Sequence, residues 1–552
     1  MPASMRNITR RDLIIGGAAT TATAAILGAE GCNFGGNGFG TPGLPTGLNS
    51  YTVTAQYATH SFAGKTVRSR TYDGTIPGPT LYVAPGQPFN VTVVNNLTPD
   101  VPATPAPGID PTNNPHLFNT TNLHVHGVQV VPHLFEPVGT HDPTASMVAI
   151  AAGQSKTYNF MVPPDQPSGL YWYHPHHHGS TDVEVSGGMA GLIIVGGPID
   201  QVPEIAAARD IPIALQTLQL NFDATANQYN TEYLAYQPPN PANLAAGGYS
   251  ARSNYMMQLV NGQLVNLLTF SNPTPGHPND FTTQPFAPPA LTMAPGEVVR
   301  LRILNGSNSL NLPIALPGFE VYVIGHDGVN LLAPQLLDQS NPANNVFATT
   351  GHRVELLVRA PQTTGTYHLQ AQAVPMPGPG GHAWPVITMM AITVAGPPVT
   401  MGIPTVLPTP TREYPLIPDG DVIGQRTVFF QSNPSAAILF GDAMLVNGAI
   451  YSENTVPPQY DNMKTGTAEE WTISTDMPEG HPFHLHTNSF EVRSIGGVPQ
   501  VPPQICDTVW IPPNNVPVVI RVRYKEWTGK DLFHCHKLTH EDQGMMANTM
   551  LT

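Results

Sequence analysis

Val518-Val519-Ile520-Arg521-Val522-Arg523-Tyr524 alternates apolar and polar residues, the period-two pattern of a half-buried β-strand. The same kind of segment recurs at Phe89-Asn90-Val91-Thr92-Val93-Val94 and at Val298-Val299-Arg300-Leu301-Arg302-Ile303-Leu304. Ala84-Pro85-Gly86 and Ala294-Pro295-Gly296 stand before the first and the second of these, a weak internal repeat. Around them, 60 prolines and 51 glycines in 552 residues, with only 11% charged residues, suit short strands joined by turns better than long surface helices. A hydrophobic fraction of 41% fills real cores and excludes disorder. The length is too great for one core, and Pro-rich stretches near 198–203 and 397–418 read as connections. An all-β chain is expected, with three consecutive β-sandwiches at 49–200, 201–405 and 406–552 and no long helix required.

A formal net charge of −15 repels phosphate backbones and argues against a nucleic-acid partner. Beyond the N-terminus no apolar run with charged flanks approaches a membrane span. Residues 1–48 read as an export signal and a Gly-rich linker. Thr9-Arg10-Arg11-Asp12-Leu13-Ile14 leads into an Ala- and Gly-rich apolar stretch, and the paired arginines point to the twin-arginine route. The protein is therefore expected in the periplasm or outside the cell. Cys32 follows Ala29-Glu30-Gly31, a poor match to a lipoprotein cleavage box, which leaves lipid anchoring a minor alternative. Only Cys506 and Cys535 remain besides Cys32, so no disulfide framework supports the fold.

The chemistry concentrates in four short clusters. They are His124-Val125-His126-Gly127, Trp172-Tyr173-His174-Pro175-His176, His481-Pro482-Phe483-His484-Leu485-His486, and His534-Cys535-His536 followed by His540 and Met545. Ten of the 21 histidines fall in them. One histidine on a strand is usually a satisfied polar residue; four His-x-His pairs are hard to explain that way. Residues two apart share a strand face, about 6.6 Å apart along it, so each pair points together. Eight imidazoles can then converge on a cluster of metals, although imidazole alone does not choose the metal.

Cys535 chooses it. On a strand it faces opposite to His534 and His536. His481 differs in parity from His484 and His486, and so turns toward Cys535. With His540, and Met545 as a long axial thioether, the set is that of a blue-copper electron-transfer site. A structural zinc site would want four strong ligands instead. With Cys535 committed to metal, Cys506 is left as a buried free thiol.

From about Tyr51 onward these clusters, in this order, resemble the signature of multicopper oxidases with three cupredoxin domains. Ile76-Pro77-Gly78-Pro79-Thr80, Leu304-Asn305-Gly306-Ser307-Asn308 and Leu445-Val446-Asn447-Gly448 add to the likeness. The resemblance implies three cupredoxin-like Greek-key sandwiches and four copper ions. It implies a type 1 copper at His481, Cys535, His540 and Met545, and a type 2 copper at His124 and His484. The two type 3 coppers would take His126, His174, His176, His486, His534 and His536. It further implies oxidation of a small aromatic reductant by dioxygen, which is reduced to water, with the type 1 site in the third domain and the cluster shared with the first.

Glu541 resembles an acid that some bacterial relatives use to deliver protons to oxygen. A second acid, after the His-x-His-Gly motif, has only an approximate counterpart in Glu136 or Asp142. His116, His177, His178 and His382 fit no ligand position and are expected in loops or behind the ligands. An oxidase of Cu(I) or Fe(II) is the alternative enzyme, lowered by the scatter of the 18 methionines into small groups such as Met256-Met257 and Met389-Met390. A copper-free structural relative would have lost ligands, and a two-domain nitrite reductase leaves a whole domain unexplained.

Overall fold

The computed structural model describes residues 50–100, 112–113, 115–231, 255–270, 281–341, 345–375, 383–433 and 443–552. The Arg10-Arg11 segment, Cys32, the Gly-rich linker and His382 lie outside them. Strands dominate, and the described α-helices are single turns such as Thr181–Val185, Pro203–Ala207 and Leu538–Asp542. No described helix is long and apolar enough to cross a membrane.

Three large apolar cores follow one another along the chain. The first gathers Val53, Phe89, Val91, Val93, Tyr158 and Ile193, and the second Leu301, Ile303, Leu356, Met389 and Ile392. The third gathers Val428, Trp471, Phe483, Ile520, Val522 and Cys535. Each lies between two sheets, as alternating strands require, since one face of each must be covered. In the third block Val518–Arg523 sits within a six-stranded sheet and keeps its alternation of buried and half-buried residues. Opposite it lies a four-stranded sheet in the order Thr508–Ile511, His481–Leu485, Gly529–Cys535, Met546–Leu551. The fold is all-β and cupredoxin-like, as expected.

One strand departs from its pattern. Val298–Asn305 was expected to be half-buried, yet all eight residues are buried, Arg300 and Arg302 included. Its sheet neighbours are Arg209–Asp223 and Arg353–Arg359, and both its faces are covered. Val299, Leu301 and Ile303 enter the second core. On the other face Leu304 packs with Leu170 and Trp172 of the first block, and Val298 with Ile199 and Ile205. Buried guanidinium groups then need partners. Arg302 reaches Asp210 (2.6 Å) and Asp200 (3.0 Å), while Arg300 meets Asp200 (2.6 Å) and Glu355. Removing one side of such a pair typically costs about 3–5 kcal/mol. The Pro-rich connections are likewise packed: Ile199, Ile205 and Leu407 share a buried cluster with Val298 and Leu357.

Candidate metal centre

His124 and His126 occupy a three-residue strand paired with Gly169–His174, in a register that sets His124 opposite His174. His484 faces His534 across the pairing of His481–Leu485 with Gly529–Cys535. His176, His486 and His536 stand just past their strand ends, so strand parity alone does not place them. Their rings nevertheless join those of their partners, with centroids 5.8, 4.8 and 5.4 Å apart. All eight rings form one buried cage. His126 stacks on His484 at 3.8 Å, His124 on His486 at 4.1 Å, and the Nε2 atoms of His176 and His486 lie 3.1 and 3.2 Å from Nε2 of His534.

Burial lowers the basicity of every ring in the cage, with His176, His484 and His534 held at about 3. The imidazoles are therefore neutral, the form that binds metal. For His174 and His484, outer contacts select which nitrogen turns inward. His174 Nδ1–H donates to the Pro175 carbonyl (2.8 Å), and His484 Nδ1–H to the Asp507 carbonyl (2.8 Å). Nε2 of His124, His174 and His484, and both nitrogens of His536, are buried with no hydrogen-bond partner. A cage of neutral imidazoles with orphaned lone pairs is a donor set that wants cations. The residues fit a metal cluster.

Three acids stand behind the rings. Glu541, fully buried, lies 3.3 Å from His176 Nδ1 and 2.9 Å from His534 Nδ1. Burial raises its carboxyl to about 6, against the pull of His176. Asp531 lies 3.6 Å from His486 Nδ1, accepts the Thr487 hydroxyl (2.6 Å), and is raised by burial to about 7. Asp507 lies 3.1 Å from His126 Nε2. Burial would raise it, but the Arg353 guanidinium overrides this and the net shift is downward. The two acids considered for the second position stay away: Glu136 pairs with Lys156 at the surface, and exposed Asp142 caps its own turn through Thr144. Asp507 and Asp531 went unread in the sequence. Asp507 is a charge inside the largely apolar run Ile505–Ile511, and that is the signal that marks it; Asp531, which follows Lys530, carries no such signal. His133 went unread too; it stacks on His124 (5.4 Å), donates from Nδ1 to the Val131 carbonyl, and turns Nε2 toward His124 Nδ1 (3.4 Å). His177 and His178 are buried near His116, outside the cage.

Cys535 points the other way, as its parity requires. Its Sγ lies 3.4 Å from His481 Nδ1 and 3.8 Å from His540 Nδ1, and those two nitrogens are 3.3 Å apart. The Lys537 N–H donates to the sulfur (3.5 Å). Met545 is buried in the same core, and its carbonyl accepts the Cys535 N–H (3.0 Å). Burial pushes the Cys535 thiol up, so only a bound cation makes it a thiolate here. His540 alone reaches the surface, with 11% of its side chain exposed and Nε2 3.4 Å from Glu479.

Sequence profiles described as multicopper oxidase match residues 108–199, 226–386 and 425–551. The chain belongs to the multicopper oxidase family. It is 24% identical to a multicopper oxidase of Staphylococcus haemolyticus over 92% of this chain and 89% of that one. It is also 24% identical to a laccase of Bacillus subtilis, over 91% and 94%. Among solved structures it resembles a Campylobacter jejuni multicopper oxidase described as a metallo-oxidase (TM-score 0.64, 21% identity, 92% of both chains). A similar match is McoA of Aquifex aeolicus (TM-score 0.64, 22% identity, 92% and 97%). Multicopper oxidases are copper-dependent oxidoreductases, and the two donor sets described above suit that cofactor.

Proposed function

We propose that this multicopper oxidase is laccase-like, taking single electrons from phenols and related aromatic donors and reducing dioxygen to water. The carrying observation is the division of labour at one strand end. Cys535 turns to His481 and His540, while its covalent neighbours His534 and His536 turn into the cage. Copper bound at both places supplies the one-electron redox chemistry that oxidises the donor and reduces oxygen.

In this reading His481, Cys535, His540 and Met545 hold the type 1 copper, and His124 and His484 the type 2. The type 3 pair takes His126, His174, His176, His486, His534 and His536. The peptide around Cys535 joins the two donor sets by bonds alone. His540 leads electrons in from the surface, and a shallow edge of this kind favours outer-sphere transfer from donors of many sizes. Glu541 holds a proton at its carboxyl, within contact of two cage rings, and passes it inward when oxygen is reduced.

A cuprous or ferrous oxidase is the second reading, favoured by the Glu479 carboxylate beside His540. Against it, the paired methionines Met256-Met257 and Met389-Met390 are buried in cores, where they offer no thioether to an external ion. The test is kcat/KM for a dimethoxyphenol and for Cu(I) on one preparation, with autoxidation subtracted. A clear preference for Cu(I), lost on replacing Met477 and Glu479, overturns the phenol reading. Export by the twin-arginine route rests on Arg10-Arg11; their replacement by lysine should leave the enzyme in the cytoplasm, and unchanged export would refute the route.

A further inference from the structure

Among the cage histidines, His126 has its own arrangement. Its Nδ1 is the buried nitrogen without a partner, while Nε2 faces Asp507 Oδ1 (3.1 Å) and Thr508 Oγ1 (3.2 Å). The Thr508 hydroxyl donates to that same carboxylate oxygen (2.8 Å), so both groups facing Nε2 are left as acceptors. The proton of His126 must then sit on Nε2, and the lone pair on Nδ1. His484 is set in the opposite sense, because its Nδ1 meets the Asp507 carbonyl and its Nε2 is left open.

Asp507 is itself gripped from the middle block. Arg353 clasps it bidentately, Nη1 to Oδ1 at 2.8 Å and Nη2 to Oδ2 at 2.6 Å. Asp327 completes the grip, accepting the backbone N–H groups of Arg353 (2.8 Å), Asp507 (3.0 Å) and Thr508 (3.0 Å). The fork also packs against the residue that follows His126. A Cβ on Gly127, at φ +85°, would lie 2.3 Å from Arg353 Nη2 and 2.5 Å from Asp507 Oδ2. The glycine of His124-Val125-His126-Gly127 is thus the opening through which the pair reaches the strand.

We propose that Arg353, anchored by Asp327, is a positioning residue of the histidine cage: through Asp507 and Thr508 it fixes which ring nitrogen His126 and His484 present to copper. The middle block, which supplies none of the ligands assigned above, in this way sets the ligand geometry of the other two. A planar fork is needed for this, because an ammonium carries the same charge but cannot hold both carboxylate oxygens in one plane.

The inference rests on the copper reading of the cage, and the experiment separates the two. Wild-type, Arg353→Lys and Thr508→Val full-length proteins are loaded with copper. Copper per chain, the type 2 EPR signal and the blue absorption are then read for each. Arg353→Lys should weaken copper binding in the cage by about 10- to 100-fold and alter the type 2 signal, with the blue absorption retained. Thr508→Val, which keeps the shape and removes one hydroxyl, should change the type 2 signal in the same direction and bind copper more nearly as wild type does. If wild type loads fully and both variants match it in copper content and type 2 signal, the positioning role is overturned and the copper reading stands. If wild type takes up no cage copper and shows no type 2 signal, the copper reading itself falls, and this inference with it.

Discussion

The cage and the cysteine site lie on opposite faces of one strand end, yet they are built differently. The cage draws rings from the first and third blocks and is closed by the middle one: a Cβ on Gly351 would lie 3.0 Å from His536 and 3.1 Å from His126. Three buried acids, Glu541, Asp531 and Asp507, stand behind it. The Cys535 site belongs to the third block alone. It sits among apolar groups, with Phe430 5.6 Å from the His481 ring, and its carboxylate, Glu479, is at the outer rim. Under the proposed function this contrast separates the handling of protons from that of electrons. On the proposed function the cage reduces oxygen to water, which consumes protons as well as electrons and calls for carboxyl groups within reach. A site that only relays electrons works best with few groups to reorganise.

The largest effect is expected at Cys535→Ser. It should abolish the blue colour and lower turnover by more than the about 100-fold that loss of an outer partner costs a metal site. Copper in the cage should remain. A variant that kept its visible band would show that Cys535 is no ligand.

Glu541→Gln acts on the other side. Oxygen reduction should slow by about 100-fold, while anaerobic reduction of the blue centre by a phenol stays within about twofold of wild type. Equal loss in both half-reactions, measured by stopped flow, would mean that the carboxyl supports the fold rather than the proton.

How far the two regions were legible in the sequence follows the same division. The cysteine site was readable from residue types and parity, because Cys535 and His540 are close in the chain and His481 stands on the paired strand. The cage histidines were readable as pairs, although three of them sit past strand ends where period-two geometry no longer holds. Behind the rings the resemblance supplied Glu541, but Asp507, Asp531, His133 and Arg353 went unread. Asp507 reaches His126 across 381 positions and Arg353 reaches Asp507 across 154. Contacts of that separation depend on how blocks pack, and no local pattern records them. Arg300 and Arg302 were misjudged for a related reason. Alternation along Val298–Leu304 shows which residues are polar, but the covering of the second face comes from a neighbouring block.

Acidification should destabilise the copper-free protein through buried imidazoles that lie outside both ligand sets. Burial holds His133, behind the cage, at about 4, and His326, in the middle block, also at about 4, against the 6.5 of an unperturbed imidazole. Between those values the unfolded chain takes up protons that the folded chain refuses. Stability is therefore full above pH 6.5 and is lost as pH falls toward 4, by on the order of 1 kcal/mol per pH unit for each such ring. Thermal unfolding across that range measures it, and His133→Gln should flatten the slope. An unchanged slope would place the acid-sensitive groups elsewhere.

The smallest effect is expected at Met545→Leu. A thioether donates weakly to the metal and favours its oxidised form, so the substitution should raise the reduction potential of the blue site and leave the cage spectra alone. A lower or unchanged potential would move the axial role to Met546.

The coupling of the two regions is the central claim, and electron counting tests it most directly. Oxygen uptake and donor oxidation are followed together on fully copper-loaded enzyme with a dimethoxyphenol, with peroxide assayed in parallel. Four one-electron donor oxidations per dioxygen, without free peroxide, is the expected result. Two per dioxygen with stoichiometric peroxide would show that the cage does not complete the reduction that Cys535 feeds.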